Sequence, residues 1–383
     1  MRNIGLLAAL LGLLVAACTG GEEVVDVNTQ AAACEVGQVD GDLNFYNWSE
    51  YIPYGAAAED AEVEDLIAKF EDTYGVTVTY TEYDSNETML AQVEAGGAPY
   101  DLVVPSDYMV SIMASEGLLV EINRDAIPNF ANLDPKFVTL PYDPESKFSV
   151  PYQWGTTGIG FSYEFVDDSE GISWGLIFDP EMRGDYEGKI TMLNDERETL
   201  GAALKYLGYS LNTRDKAELD EAVALVKEAK AAIAAFDSES YEDLLVQGEI
   251  VVAHGWSGDF FAAYDGASTD DYDAYEDFGY AVPNEGGVVW VDTMAVPVTA
   301  KSPCTAMTFI NFILDAENGA TLTNYNYYAS PNKAAEPLIY EEILEDPAIY
   351  PPEEKFTDGS LEFIEDLGDF ATEYADAFVR AKS

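Results

Sequence analysis

Short apolar runs alternate with amphipathic stretches through residues 43–108, and that alternation admits few architectures. "LNFYNW" reads as a first strand, and residues 60–73 as a helix with Val63, Ile67 and Phe70 on one face. "GVTVTYTEY" alternates Val76, Val78 and Tyr80 as a second strand. "ETMLAQVEAGG" is a further helix, closed by Gly96 and Gly97 where a left-handed residue ends the last turn. "YDLVVPSDY" is a buried strand that stops at a polar turn. The order β-α-β-α-β is that of an α/β protein, and ligands of such sheets lie beyond the carboxyl ends of the strands. Trp48 to Tyr51 and Ser106 to Tyr108 both fall there.

The first of these ends, "YNWSEY", concentrates rings, a hydroxyl and a carboxylate in six positions. A core would accept Trp48 and the tyrosines but resist Glu50, whose charge is costly to desolvate without a partner. A site for an organic cation wants all of them, because ring faces and carboxylates both favour positive charge. The whole chain leans the same way: 72 acidic against 18 basic residues leave a formal charge of −54. Such a surface repels phosphates, so nucleic acid is excluded as a partner. At 383 residues, 48% of them hydrophobic, the chain can build two domains with substantial cores.

Further along, "NTRDKAELDEAVALVKEAKAAIAAF" sets Leu219, Val223, Val226 and Ile233 on one helical stripe, which is surface packing. Enzyme signatures fail one by one. The single histidine, His254, lies in "AHGWSGD", but Gly258 follows Ser257 directly and Asp259 stands where a nucleophile elbow needs its second glycine. "GTTGIG", residues 155–160, lacks the spacing of a dinucleotide or phosphate loop. "DDYDAYED" lacks the glycine and terminal glutamate of a calcium loop. No metal site, no cofactor and no catalytic role are expected.

The N-terminus places the protein. Arg2 precedes an apolar run from Ile4 to Ala17, too short to span a bilayer comfortably and shaped like a secretory signal. Val15 to Cys18 resembles the lipobox of bacterial lipoproteins, in which the cysteine becomes the lipidated first residue. Residues 1–18 are therefore expected to be a lipoprotein signal peptide with Cys18 as the lipidated position. Residues 19–40, acidic and without periodicity, are expected to be a tether. The protein would work on the outer side of the cytoplasmic membrane, in a periplasm or at a cell surface. Beyond Cys18 only Cys34 and Cys304 remain, too few for a zinc site. In an oxidising compartment they are either a disulfide or two unrelated small residues, and the sequence leaves both readings open.

Read in order, "NFYNWSEYIP", "YDLVVPSDYMV", "PYQWGTTGIG", "MLNDERE", "HGWSGDF" and "GGVVWVDTMAVP" closely resemble the periplasmic spermidine/putrescine-binding proteins of bacterial ABC importers, over essentially all of residues 41–383. The resemblance implies an α/β, two-lobed periplasmic-binding-protein fold of type II, each lobe a mixed sheet flanked by helices, joined by crossing strands. It implies an N-terminal lobe of residues 41–155 and 291–336 and a C-terminal lobe of 156–290 and 337–383. It also implies ligand contacts from Trp48, Ser49, Glu50, Tyr51, Tyr108, Asp195, Glu198, Trp256, Trp290, Asp292 and Tyr328. Arg197, within "NDERE", is expected to orient its neighbouring carboxylates. In that fold the segment after "MAVPVTAKSP" returns to the N-terminal lobe, which would bring Cys304 near Cys34. The implied role is capture of spermidine or putrescine and delivery to ABC permease subunits, by a monomer; a sensor or adaptor presenting the loaded form to a membrane receptor is the alternative.

The physics of these residues fits such a ligand independently. A polyamine carries ammonium groups separated by methylene chains, so its site needs acids at intervals with apolar rings between them.

Overall fold

A computed structural model describes residues 26–96, 99–184, 186–269 and 271–383. Cys18 and the expected signal segment lie outside the described residues. Among the described residues ten strands form one sheet: β1 (Leu43–Trp48), β2 (Val78–Tyr83), β3 (Leu102–Val103), β4 (Ser149–Ser162), β5 (Ile190–Met192), β6 (Ile233–Phe236), β7 (Val252–Trp256), β8 (Phe278–Ala281), β9 (Gly287–Ala295) and β10 (Leu361–Glu362). Their order is β2-β1-β3-β9-β4-β7-β5-β6, with β10 beside β9 and β8 beside β4. The two ends of the sheet are parallel, β2-β1-β3 on one side and β7-β5-β6 on the other. Between them β4 and β9 run antiparallel, from Ser149 opposite Ala295 to Thr157 opposite Val288. Every residue of β4 and β9 is buried, as strands covered on both faces require.

This arrangement positions the site. One core gathers Phe45, Leu102, Val104, Met294 and Phe309, and another gathers Ile159, Met192, Leu204, Val226 and Tyr374, so each parallel half is packed for itself. The carboxyl ends of β1, β2 and β3 face those of β5 and β7 across the middle strands, and a cleft lies where they meet.

Three local expectations are corrected. The helix expected over 60–73 is two helices, Gly55–Asp60 and Leu66–Tyr74. The Asp65 side chain accepts from Ala68 N at 2.8 Å and from Gly55 N at 2.7 Å, so it caps the second helix and leaves Val63 in the connection. Ile233 does not continue the helical stripe: the helix Lys216–Ala229 ends in a turn closed by Ala232 N to Ala229 O, and Ile233 opens edge strand β6 opposite Ile190. Periodicity of 3.6 could not see that the sheet edge claims this β-branched residue.

The stretch expected as a tether is docked from Val27 onward. Helix Val27–Ala32 buries Ala31 completely, and Asn123 Nδ2 donates to the carbonyls of Ala31, Ala32 and Cys34. Asp40 accepts from Cys304 N and Thr305 N, and a disulfide joins Cys34 to Cys304 with Cα atoms 5.2 Å apart. An acidic, aperiodic composition hid these contacts because they are made mostly by backbone carbonyls and one carboxylate, which leave no hydrophobic pattern.

Candidate functional site

All eleven expected contact residues line one cavity of about 380 Å³ between the two parallel halves. Chain geometry explains how they converge. Trp48 is the last residue of β1, and the next turn puts Glu50 at φ 55°, a left-handed conformation that a non-glycine residue adopts only where the surroundings hold it. Tyr108 follows β3 and opens the helix Asp107–Ser115. Across the cleft, Asp195 caps the helix Glu196–Tyr206, accepting from Arg197 N at 2.8 Å and Glu198 N at 3.0 Å, which fixes Glu198 in the first turn. Trp256 ends β7, and Trp290 and Asp292 project from β9. Tyr328 is delivered by Tyr327, whose φ of 59° terminates the helix Ala316–Asn326.

Two glycines that belonged to failed enzyme motifs turn out to seat the rings. A Cβ on Gly155, in "GTTGIG", would stand 2.7 Å from the Trp290 indole, and one on Gly258, after Ser257, would stand 2.6 Å from the Tyr328 ring. His254 is fully buried in edge contact with Trp174, and neither ring nitrogen has a hydrogen-bond partner, so it is not a base for Ser257. Among the described residues no group of His, Cys, Asp and Glu is arranged to hold a metal.

Among the described residues the cavity wall carries ten carboxylates and no basic residue. Six of the ten are not marked by the sequence as binding residues in their own right: Asp107 and Asp259 adjoin expected residues in "VPSDY" and "HGWSGDF", Glu82 and Asp84 lie at the end of β2, and Glu242 sits in "SESYEDLL", where no pattern marks it. Glu239, exposed at the rim, completes the set. Asp107, Glu198, Asp292 and Glu242 are buried. Burial pushes Asp292 up to about 7, against a 2.6 Å hydrogen bond from Ser106 Oγ that favours its ionised form. Burial, then the charge of Asp195, pushes Glu198 up to about 8, although Thr157 Oγ1 and Trp256 Nε1 donate to its Oε1. Asp107 rises to about 8 through burial. Burial raises Asp195 and Asp259 as well, and raises Glu50 together with the charge of Asp259.

Rings fill the spaces between the acids. Trp48 and Trp256 meet across the cleft with centroids 6.0 Å apart at 67°, and Trp290 meets Tyr328 at 5.1 Å and 67°. Trp290 Nε1 and the Oε2 atoms of Glu198 and Glu242 have no hydrogen-bond partner among the described residues. Arg197 does not pair with its neighbours' carboxylates. Its guanidinium donates to the Glu365 carbonyl at 3.0 Å and to Asn212 Oδ1 at 2.9 Å, and stacks over Tyr374. A walled space with negative charge at intervals, aromatic faces and unfilled acceptors suits an elongated cation and offers no nucleophile-and-base pair for chemistry.

Comparison with known proteins agrees. Residues 65–351 match the family model of bacterial extracellular solute-binding proteins. A spermidine/putrescine-binding periplasmic protein of Escherichia coli is 35% identical over 343 residues, covering 89% of this chain and 91% of that protein. Two solved structures are similar throughout: the spermidine/putrescine ABC transporter substrate-binding protein PotD of Streptococcus pneumoniae (32% identity, TM-score 0.71, 90% of this chain and 99% of that one) and the PotD lipoprotein of Treponema pallidum (32%, 0.73, 89% and 99%).

Proposed function

The chain belongs to the bacterial extracellular solute-binding proteins, which are not enzymes, and we propose that it captures a linear polyamine in the cleft and delivers it to an ABC permease. One observation carries the reading: ten carboxylates and no base line a cavity whose remaining walls are largely tryptophan and tyrosine. Closure of two lobes, residues 41–155 with 291–336 and 156–290 with 337–383, would bring Glu50, Tyr51, Tyr108 and Asp292 against Asp195, Glu198 and Trp256. The two separately packed parallel halves support that division. The names of the relatives support a periplasmic address and permease partners. A sensor role has no observation in its favour.

An anchor at Cys18 is supported by the lipobox and by the lipoprotein character of the Treponema relative. With the chain docked from Val27, an anchor at Cys18 would lie nine residues, at most about 30 Å of chain, from the folded body. Isothermal titration with putrescine, spermidine and spermine, and with a dicarboxylate and a neutral sugar as controls, tests the reading. Saturable binding of polyamines alone is expected. Silence toward all three polyamines, or equal binding of the controls, overturns it.

A further inference from the structure

The carboxylates of the cleft form two poles. Around Asp292 stand Asp107, Asp195 and Glu198, and the charges of Asp195 and Asp107 act on Glu198 while that of Asp292 acts on Asp107. Around Asp259 stand Glu50 and Glu242, each acting on or acted upon by the others. A chain of contacts lies between the poles: Trp256 Nε1 donates to Glu198 at 3.3 Å, Trp256 N donates to the Tyr241 hydroxyl at 3.0 Å, and Tyr241 donates to Asp259 at 2.5 Å. Each pole ends in an oxygen that no donor among the described residues satisfies. Glu198 is 5% exposed and Glu242 8%, both line the cavity, and the Oε2 of each meets no donor among the described residues.

A buried carboxylate oxygen without a donor is expensive, so a ligand that donates there gains more than one that does not. A diamine brings one ammonium to each pole, where four carboxylates on one side and three on the other must share it. A polyamine with a secondary amine a few carbons from each end brings two cations to each pole. Length is not limiting, because the cavity adjoins a second of about 470 Å³ that shares Asp107, Tyr108 and Ile364 with it.

Resting on the polyamine reading, we infer that Glu242 is an ammonium-binding residue at the second pole and makes the cleft selective for linear tri- and tetraamines over diamines. Titration of the parent, Glu242→Gln and Asp243→Asn with putrescine, spermidine and spermine tests this. Asp243 is exposed, adjoins Glu242 and lies outside the cavity wall, so its variant removes the same charge without touching the ligand. The parent should bind spermine and spermidine more tightly than putrescine. Glu242→Gln should weaken spermine tenfold or more and putrescine less than threefold, with Asp243→Asn under twofold for all three. Glu242→Gln keeps shape and oxygen, and a ligand-free melting temperature no lower than the parent's shows that it folds. Equal losses for putrescine and spermine, an unaffected spermine affinity, or an Asp243→Asn effect as large as that of Glu242→Gln overturns the inference while leaving polyamine capture standing. A parent that binds no polyamine overturns both.

Discussion

Asp292→Asn should make the ligand-free protein more stable and polyamine binding much weaker, from one cause. Asp292 is 6% exposed, and its carboxyl titrates near 7 in the folded chain because burial penalises its charge. An ordinary aspartate titrates near 3.9, so the gap of about three pH units corresponds to roughly 4 kcal/mol of folding free energy at 1.36 kcal/mol per unit. The sign follows from proton binding. The folded state holds this proton more tightly than the unfolded chain, so stability falls as pH rises from about 4 through 7 and stays low above. Asparagine carries no charge at any pH and still accepts from Ser106 Oγ. Thermal or urea unfolding without ligand should therefore show Asp292→Asn more stable by up to about 4 kcal/mol at pH 8, with the gain vanishing near pH 4. Removing one member of a desolvated charge pair costs about 2–5 kcal/mol of binding, so titration with spermidine at pH 8 should show a loss of roughly thirtyfold to several thousandfold. Affinity within threefold of the parent, or a stability difference that does not change with pH, would refute the reasoning.

Two further expectations concern protons. Asp292, Glu198 and Asp107 titrate at about 7, 8 and 8 in the empty cleft, so ammonium groups entering at pH 7 must expel protons. Calorimetric enthalpies measured in buffers of different ionisation enthalpy should report net release, and no buffer dependence contradicts the burial of these acids. His254 works in the opposite direction: burial lowers it from 6.5 to about 3, so the folded chain refuses a proton that the unfolded chain accepts, and stability drains away as pH falls from 6.5 toward 3. His254→Phe should remove that slope, worth on the order of 5 kcal/mol across the window, and parallel pH–stability curves for parent and variant would reject the assignment.

Much of this site is legible in the sequence because it is built at strand ends. Trp48 to Tyr51, Tyr108 and Trp256 each close an apolar run, so pattern and polar turn together point to them. Glu242 gives no such sign. It lies in a short helix between an edge strand and β7, and only the pairing of β7 with β4 brings that helix to the cleft. Asp259 stands in a stretch that resembles a serine-nucleophile pattern, and its place in the cleft follows instead from the hydroxyls of Tyr241 and Tyr328, which converge on it from distant segments. The errors in the fold have the same origin. Val63 and Ile233 satisfy a helical period, but a side-chain cap at Asp65 and the edge of β5 decide their fates, and neither is a property of hydrophobic spacing.

Closure of the proposed lobes would be opposed by the cleft's own contents. Trp48 meets Trp256 across the cleft, and Asp107, Glu198, Asp292 and Glu242 are buried together with no lining base to balance them. Closing on nothing therefore means either protonating these acids or confining like charges in a low-dielectric space. Both raise the free energy of the empty closed state relative to an open, hydrated one. On the proposed function, a polyamine would reverse the balance, because its ammonium groups would pair with acids on both sides and its methylenes would lie against the rings between them. A ligand shifts a conformational equilibrium only by its differential affinity for the two states, and here that difference is the very charge the empty state cannot tolerate. The −54 surface cannot do this work, since exposed charges are screened beyond about 10 Å at 0.1 M salt and are much the same open or closed. Surface acidity can hasten the arrival of a polycation, while on the proposed closure the buried acids would decide whether the lobes shut on it.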